Sequence, residues 1–494
     1  MLDTADDAAL PGAFRVVLDA LVRGGGTVLL GGTPFRLVRL SPAEAAAVRR
    51  WEAGEAVGGA PADRALARAL VAANLAQPVP PAGVGATAAD AVTVVVPVRD
   101  HAAALRRLLA ALAADAAVAA VVVVDDGSRD PAAVAAAAAA SGARLVARPS
   151  SGGPGAARNT GAALAETPLV AFVDADCVPA PGWLDALLPH FADPRVALVA
   201  PRIVAVDEHG GALTRYEAVR APHDRGPAPA RVVPGGRVPF VPGAALVARA
   251  AALGAGFDPA LRGGEDVDLV WRLTAAGHHV RYEPAARVAH AHRTAPRDWL
   301  ARRVSYGAGA APLARRHPGA ARPLALSPWS AAAWLAVALG RPAIGAGITG
   351  AAAGLLAREL RGTVERPAGL AVRLAGLGTL RSGRVVADAL VRTWWPAGAA
   401  GALRSARLRR VMAAAALAGP LLDHRSQRPP LDPVRWTALR LLDDAAYGWG
   451  VWLGCLRART PDPLLPDLSW RMRSCTGAEL VRAGDTVARC QTFR

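Results

Sequence analysis

The sequence contains no lysine. All 57 basic residues are arginine, set against 40 acidic ones, for a formal charge of +17. Part of this preference fits a high-GC coding bias, so the choice of arginine over lysine says little about function. The excess itself favours anionic partners, such as a nucleotide diphosphate or an acidic lipid face. No recognisable nucleic-acid module accompanies it, so nucleic acid is not an expected partner. Aromatic residues make up only 5% of the chain, which leaves the core to alanine, leucine and valine. Cysteine is equally scarce: Cys177, Cys455, Cys475 and Cys490 form no C-x-x-C pair, which argues against zinc and gives no disulfide framework. The start, Met1 to Asp7, is acidic where a secretory signal would be basic, so a cytoplasmic catalytic part is expected. Long hydrophobic runs are missing too. Residues 330–339 and 343–357 are apolar, but Arg341-Pro342 divides them, and each half is short of the roughly 20 residues a span needs. Together they are expected to form a kinked span, a re-entrant hairpin or a helical bundle with an alanine core. Trp449 and Trp452 beside Arg457 and Arg459 suit a segment lying at a membrane surface.

What is present divides into three regions. Residues 1–85 form a small unit. It has a turn at 24–26, a strand at 27–30, a hairpin turn at 31–34 and a second strand at 35–40. Ser41, Pro42 and Glu44 then read as cap, first position and capping box of a helix, and a second helix is expected over 63–74. Strands plus short helices of this size resemble a winged-helix, peptide-binding type of domain, although a structural appendage has the same composition. Residues 77–91 are rich in proline, alanine and glycine and read as a linker. Residues 92–310 alternate strands and helices, the pattern of a Rossmann-like α/β domain. Strands are expected at 92–96, 120–124, 143–147 and 169–173, with helices at 102–114, 132–140, 154–164 and 182–191. Residues 320–494 form an alanine- and glycine-rich helical region whose last residues look irregular.

Three acidic signatures punctuate the middle region. Asp125-Asp126-Gly127-Ser128 follows a buried strand, and in open α/β sheets ligands bind beyond the carboxyl ends of the strands. A carboxylate there can accept from a base N–H or a ribose hydroxyl, although Asp-Gly is also an ordinary turn. Asp174-Ala175-Asp176 ends another strand. Its two carboxylates point the same way on extended chain, which suits a hard divalent cation that also takes diphosphate oxygens. In Gly263-Gly264-Glu265-Asp266-Val267-Asp268, Asp266 lies near the start of a helix expected from Leu269 on, open enough to act as a general base. Any of these acids can also simply cap that helix. Ser151-Gly152-Gly153-Pro154-Gly155 fails the dinucleotide pattern because Arg158 stands where the last glycine belongs. Arg158 and Asn159 near a helix start instead suit an anion. His290 and His292, two positions apart after a strand-like run, offer a further metal ligand or phosphate contact.

In this order and spacing the set resembles the family 2 glycosyltransferases of the GT-A fold. The pieces that carry the likeness are Val94-Val95-Val96-Pro97, Val124-Asp125-Asp126-Gly127-Ser128, Ala157-Arg158-Asn159-Thr160-Gly161, Val173-Asp174-Ala175-Asp176 and Gly264-Glu265-Asp266. The resemblance implies inverting transfer from a nucleotide sugar, usually a UDP-sugar, with Mg2+ or Mn2+. It makes Pro97, Asp125, Asp126, Arg158, Asp174 and Glu265 the donor-binding residues. Asp125 or Asp126 would hold uracil and Asp174 the ribose. Asp176, with His292, would hold the metal, and Asp266 would be the catalytic base. A narrower set is similar to the glycosyltransferases of the mycofactocin system: Leu30-Gly31-Gly32-Thr33-Pro34, Ala200-Pro201-Arg202, Arg215-Tyr216-Glu217-Ala218 and Asp443-Asp444-Ala445-Ala446-Tyr447-Gly448. It implies UDP-glucose as donor, pre-mycofactocin as acceptor, a β-1,4-linked glucan as product and a membrane-associated tail. Two alternatives stay open: a polyprenyl-phosphate or cell-envelope acceptor, and a non-catalytic scaffold that recognises a peptide through residues 1–85.

Overall fold

The structure, a computed structural model, describes residues 9–19, 27–81, 92–206, 210–291, 295–469, 473–483 and 491–492. The expected turn at 24–26, the acidic first residues, most of the expected linker and His292 lie outside these. The chain divides into two compact units. The first comprises Met1–Asp207, Arg220–His292 and Cys475–Cys490; the second comprises Glu208–Val219, Arg293–Ser474 and Gln491–Arg494.

The first unit opens with β1 (Arg15–Leu18), the hairpin of β2 (Val28–Gly31) and β3 (Arg36–Arg39), helices α1 (Pro42–Glu52) and α2 (Pro61–Ala72), and β4 (Ala76–Val79). The α1 box closes in both directions: Ser41 Oγ accepts from Glu44 N at 3.3 Å and Glu44 Oε2 accepts from Ser41 N at 2.7 Å. Residues 77–79, expected in the linker, are strand instead, paired antiparallel with β1 from Arg15↔Val79 to Leu18↔Ala76. Pro78 is tolerated because this is a two-stranded ribbon with a free side. The core gathers Trp51, Leu66 and Leu70 with Val38 of the hairpin, and Cys475 and Leu480 from far along the chain join it.

The rest of this unit is the alternating domain, built of β5 (Val92–Val98), α3 (Ala102–Leu112), β6 (Val118–Asp125), α4 (Pro131–Ala140), β7 (Arg144–Ala147), α5 (Pro154–Ala162), β8 (Leu169–Val173) and β9 (Cys177–Pro179). It continues with α6 (Trp183–Leu187), β10 (Val196–Ala205), α7 (Ala212–Arg220, grouped almost wholly with the second unit), β11 (Ala230–Arg231), β12 (Ala245–Arg249), α8 (Glu265–Ala275) and β13 (His279–His290). The strands order as β11-β13-β10-β12-β8-β5-β6-β7, with β9 paired to β13. β8, β5, β6 and β7 run parallel, whereas β12 reverses against β8 and β10. The mixed α/β fold expected from the alternation is therefore present. The valine runs of β5 and β6 are buried on both faces by α3, α4 and α5, which is why they read as continuous apolar segments. One boundary moves: α8 begins at Glu265 rather than Leu269, because Gly264 takes φ 84° as its N-cap and turns the chain into the helix four residues early.

The second unit is helical: α9 (Pro296–Ala308), α10 (Ala310–Arg316), α11 (Pro328–Ala338), α12 (Pro342–Glu359), α13 (Pro367–Arg392), α14 (Trp395–Ala402), α15 (Ala406–Gln427) and α16 (Pro433–Ala458). The kinked span is not found. Gly340, at φ 77°, ends α11, and Pro342 starts α12 as a separate helix. Among the described residues no helix is long and apolar enough to cross a membrane. α9 and α16 cross so closely that a Cβ at Gly307 or Gly450 would run into the Tyr447 or Val304 carbonyl. Buried charges replace a large apolar core at this crossing. Arg303 pairs with Glu217 and lies 2.9 Å from Asp443, which also accepts from Tyr216 Oη at 2.9 Å. Asp444 takes Arg392 at 2.6 Å and Arg440 at 2.7 Å.

Candidate active site

The sheet changes direction of growth at β5. The chain builds β6 and β7 on one side of it and then returns to lay β8 on the other. The carboxyl ends flanking such a reversal form a crevice, and the acidic signatures converge there. Pro97 sits in the last turn of β5, opposite Val124. Its missing N–H costs nothing toward β8, whose ladder with β5 has ended at Val95↔Phe172. Asp125 ends β6, Asp126 follows it, and both are buried. Asp125 Oδ1 accepts from Ser128 N at 2.9 Å and Ser128 Oγ at 2.6 Å, closing the turn around Gly127. Asp126 commits both oxygens to the next loop. It takes Gly152 N at 2.9 Å, Gly153 N at 2.8 Å, Ser151 Oγ at 2.7 Å and Arg148 Nε at 2.9 Å. Burial works to raise its pKa, but these donors outweigh it and hold the carboxyl below its usual range.

Helix α5 ties the signatures to one another. Arg158 is 3% exposed and forks between two of them: Nη2 donates to Asp174 Oδ1 at 2.7 Å and Nη1 to Glu265 Oε1 at 3.0 Å. Burial opposes its charge, yet Asp174 and Glu265 raise its pKa further still. Asn159 clasps the backbone of Phe257 from both sides, at 2.7 and 2.8 Å. Thr160 Oγ1 accepts from Arg148 at 2.6 Å, the same arginine that holds Asp126. Gly161 lets the helix lie on Val95, where a Cβ would clash with the valine methyls. The expected anion site at this helix start is thus occupied by the protein's own carboxylates.

Asp174 and Asp176 follow β8 and are about a third exposed, 30% and 31% for their side chains. Asp174 N donates to Ala244 O at 2.9 Å, which seats it beside the start of β12. The pairing of β9 with β13 sets Cys177 opposite His290. That register brings His290 Nε2 within 3.6 Å of Asp176 Oδ1, and the donor atoms of Asp176, Cys177 and His290 lie within 4.8 Å of one another. Burial first, then Asp174 and Asp176, pushes the Cys177 thiol well above its usual pKa. The carboxylate and the imidazole offer an O/N pair of the kind that Mg2+ or Mn2+ accepts. His223 packs edge-on against His290, centroids 5.0 Å apart.

The first turn of α8 separates its two acids. Glu265 points inward to Arg158. Burial and the neighbouring Asp266 raise its pKa, and Arg158 only partly offsets them. Asp266 is half-buried. Its Oδ2 accepts from Gly243 N at 2.7 Å and its Oδ1 from Val267 N at 2.8 Å, so its orientation is fixed while one edge stays open. The N-cap of α8, Gly264, makes no side-chain cap, and Asp268 is fully buried against Arg272 at 2.8 Å.

Residues 93–253 match the family model "Glycosyl transferase family 2". Two proteins named pre-mycofactocin glycosyltransferase, from the CDC 1551 and H37Rv strains of Mycobacterium tuberculosis, are each 40% identical to this chain over 480 residues. The match spans 93% of the chain and 98% of each relative. The chain belongs to glycosyltransferase family 2. Among solved structures, a mannosyltransferase from Pyrobaculum calidifontis in complex with GDP-Man and Mn2+ is 20% identical, with TM-score 0.37, over 71% of this chain and 86% of that one. As a family 2 glycosyltransferase the chain carries its matched segment on β5 to β12, while Asp266 and His290 lie beyond it, on α8 and β13. Reasoning from sequence weighed His290 only as one of two histidines. The cross-strand partner that sets it beside Asp176 has no local signal.

Proposed function

We propose that this glycosyltransferase moves glucose from UDP-glucose to a hydroxyl of pre-mycofactocin with inversion, extending a β-1,4-linked glucan. The observation that supports this most is the convergence of Asp174, Asp176 and Asp266 on one sheet end in a chain 40% identical to pre-mycofactocin glycosyltransferases. Pro97 and the turn from Asp125 to Ser128 flank the nucleoside, and Asp174 takes the ribose. Asp126 holds the loop ahead of α5, and Arg158 with Glu265 holds the two acidic signatures in register. Asp176 and His290 are the residues that would hold Mg2+ or Mn2+, whose charge would offset that of the departing diphosphate. His292 is the other imidazole proposed from the sequence. Asp266 accepts the proton of the acceptor hydroxyl. The acceptor oxygen bonds to the anomeric carbon from the face opposite UDP as the carbon–oxygen bond to UDP breaks.

The test is UDP release from UDP-glucose with Mg2+ or Mn2+, with and without pre-mycofactocin, followed by mass spectrometry of the acceptor. Hexose steps in the acceptor mass support the proposal. Metal-dependent UDP release with an unchanged acceptor overturns the choice of acceptor and points to lipid or envelope glycans.

We also propose that the second unit rests on an anionic membrane face. Among the described residues the first unit exposes two large apolar side chains, Val17 and Val206. The second unit exposes many more, with Leu335, Val372, Leu380 and Leu403 among the most open, interleaved with exposed Arg373, Arg381, Arg404 and Arg407. Apolar side chains rimmed by arginine are suited to a lipid interface. Co-sedimentation with phosphatidylglycerol vesicles, absent with phosphatidylcholine alone, is the expected result; equal behaviour with both would sink the idea.

A further inference from the structure

The turn between α7 and β11 touches both the metal corner and the surroundings of the base. His223 packs edge-on against His290, centroids 5.0 Å apart. Two residues on, Arg225 lies over Phe240, its guanidinium carbon 4.1 Å from the ring centroid. Phe240 belongs to the segment that fixes Asp266: Pro239 O accepts from Trp271 Nε1 of α8 at 2.8 Å, and Gly243 N donates to Asp266 Oδ2 at 2.7 Å. Burial pushes the Arg225 pKa down, and Asp266 is the carboxylate whose charge does most to offset this.

The turn holds Arg225 in a fixed place. Asp224 takes Arg202 of β10 through Nε at 2.9 Å and Nη2 at 2.8 Å, and its Oδ1 also accepts from Gly226 N at 2.8 Å. Tyr282 Oη of β13 donates to Gly226 O at 2.6 Å, and Gly226 takes φ 85°, which reverses the chain just after Arg225. Buried arginines elsewhere, such as Arg158 and Arg303, face carboxylates. Arg225 differs from them. Among the described residues it forms no ion pair; Nη2 donates to Pro222 O at 2.7 Å, and Nε is covered without a hydrogen-bond partner. A covered cation with no paired counter-charge is costly to fold, and groups of this kind gather where a ligand is bound. Phe240 occupies the face of the guanidinium and leaves its N–H edge for in-plane hydrogen bonds.

We propose that Arg225 is an acceptor-binding residue: it donates to a hydroxyl beside the one that Asp266 deprotonates, and so selects a sugar with two adjacent hydroxyls. Each glucose unit of a growing glucan offers such a pair, so Arg225 acts in chain extension rather than in the first transfer. The attacking oxygen gives its proton to Asp266, and Arg225 keeps its own. This inference rests on the glycosyl-transfer reading above and adds the residue that favours later acceptors over the first.

The test compares wild type, Arg225→Leu and Arg225→Lys in turnover of UDP-glucose with unmodified and with singly glucosylated pre-mycofactocin. Arg225→Leu is expected to raise KM for the glucosylated acceptor about tenfold or more and to stop the mass ladder after the first hexose. KM for UDP-glucose and for the unmodified acceptor stays within about twofold. Arg225→Lys recovers part of the loss. Because the charge it removes is unpaired, Arg225→Leu melts no lower than wild type. An unaltered ladder, parallel rises in all three KM values, or a lowered melting temperature overturns the inference and leaves the transferase reading intact. Absence of any hexose ladder from wild type overturns that reading, and this inference with it.

Discussion

Replacing Arg158 by alanine separates two accounts of this arginine. It removes the fork between Asp174 and Glu265 and leaves Glu265, whose side chain is 8% exposed, buried beside Asp266 with no counter-charge. Breaking a buried pair from one side costs about 3–5 kcal/mol. Asp174 keeps its access to water, so a loss near the lower end, about 3 kcal/mol, is expected. For a unit of this size that corresponds to a fall in Tm of about 5 °C. The deficit depends on pH. The pKa of Glu265 is raised in the folded state by burial and by Asp266, so the folded protein binds that proton more tightly than the unfolded chain. Its contribution is most favourable below the ordinary value of 4.5 and is lost as pH rises through the folded pKa. Without Arg158 the folded pKa rises further, so the gap from wild type is wider at pH 8 than at pH 5. Adding Glu265→Gln removes the stranded charge and recovers a large part of the loss. Thermal melts of the three proteins across that range decide the matter. An Arg158→Ala variant that melts with wild type at every pH but no longer binds UDP would refute the reasoning and make this arginine a diphosphate ligand.

Three further outcomes are expected. Asp266→Asn keeps UDP-glucose binding and abolishes transfer, whereas Asp176→Asn and His290→Ala weaken metal-dependent donor binding; calorimetry beside a turnover assay distinguishes them, and similar transfer by all three would contradict the site. Arg68→Ala strips Asp193 of its buried bidentate partner and costs about 3–5 kcal/mol near neutrality. Burial raises the Asp193 pKa, but Arg68 outweighs it and the carboxyl ends below the ordinary 3.8, so the gap from wild type closes only as pH falls below that value, as acid melts can check. Gly450→Val drives a side chain into the Val304 carbonyl and lowers stability by at least about 1–3 kcal/mol, read by denaturant titration.

The legible parts of the fold were those with local causes. β-branched runs marked β5, β6 and β8, and Ser41-Pro42-Ala43-Glu44 carried the whole start of α1. The acidic signatures do meet at one end of the sheet, because strand-then-acid is itself a local pattern. What stayed hidden depends on partners distant in the chain. An arginine at a helix start reads as an anion site until Asp174 and Glu265 are seen to saturate it. Gln77 reads as linker because the strand it pairs with and the carboxylate of Asp19 that takes its amide at 3.1 Å come nearly 60 residues earlier. The tail reads as irregular because Cys475 and Leu480 find their neighbours at the opposite end of the sequence. The kinked span failed for a different reason: Pro342 starts a helix as readily as it bends one.

Three consecutive residues of α5 tie together several of the loops around the crevice. Arg158 reaches the loop after β8 and the start of α8, Asn159 reaches Phe257, and Thr160 reaches the arginine that holds Asp126. The amides of Gly152, Gly153, Gly243 and Phe257 therefore belong to one cooperative unit of opening. Their hydrogen exchange would share a single free energy and respond together when any one of those side chains is cut back. The two sides of the crevice would then breathe as one body, hinged on a single helix.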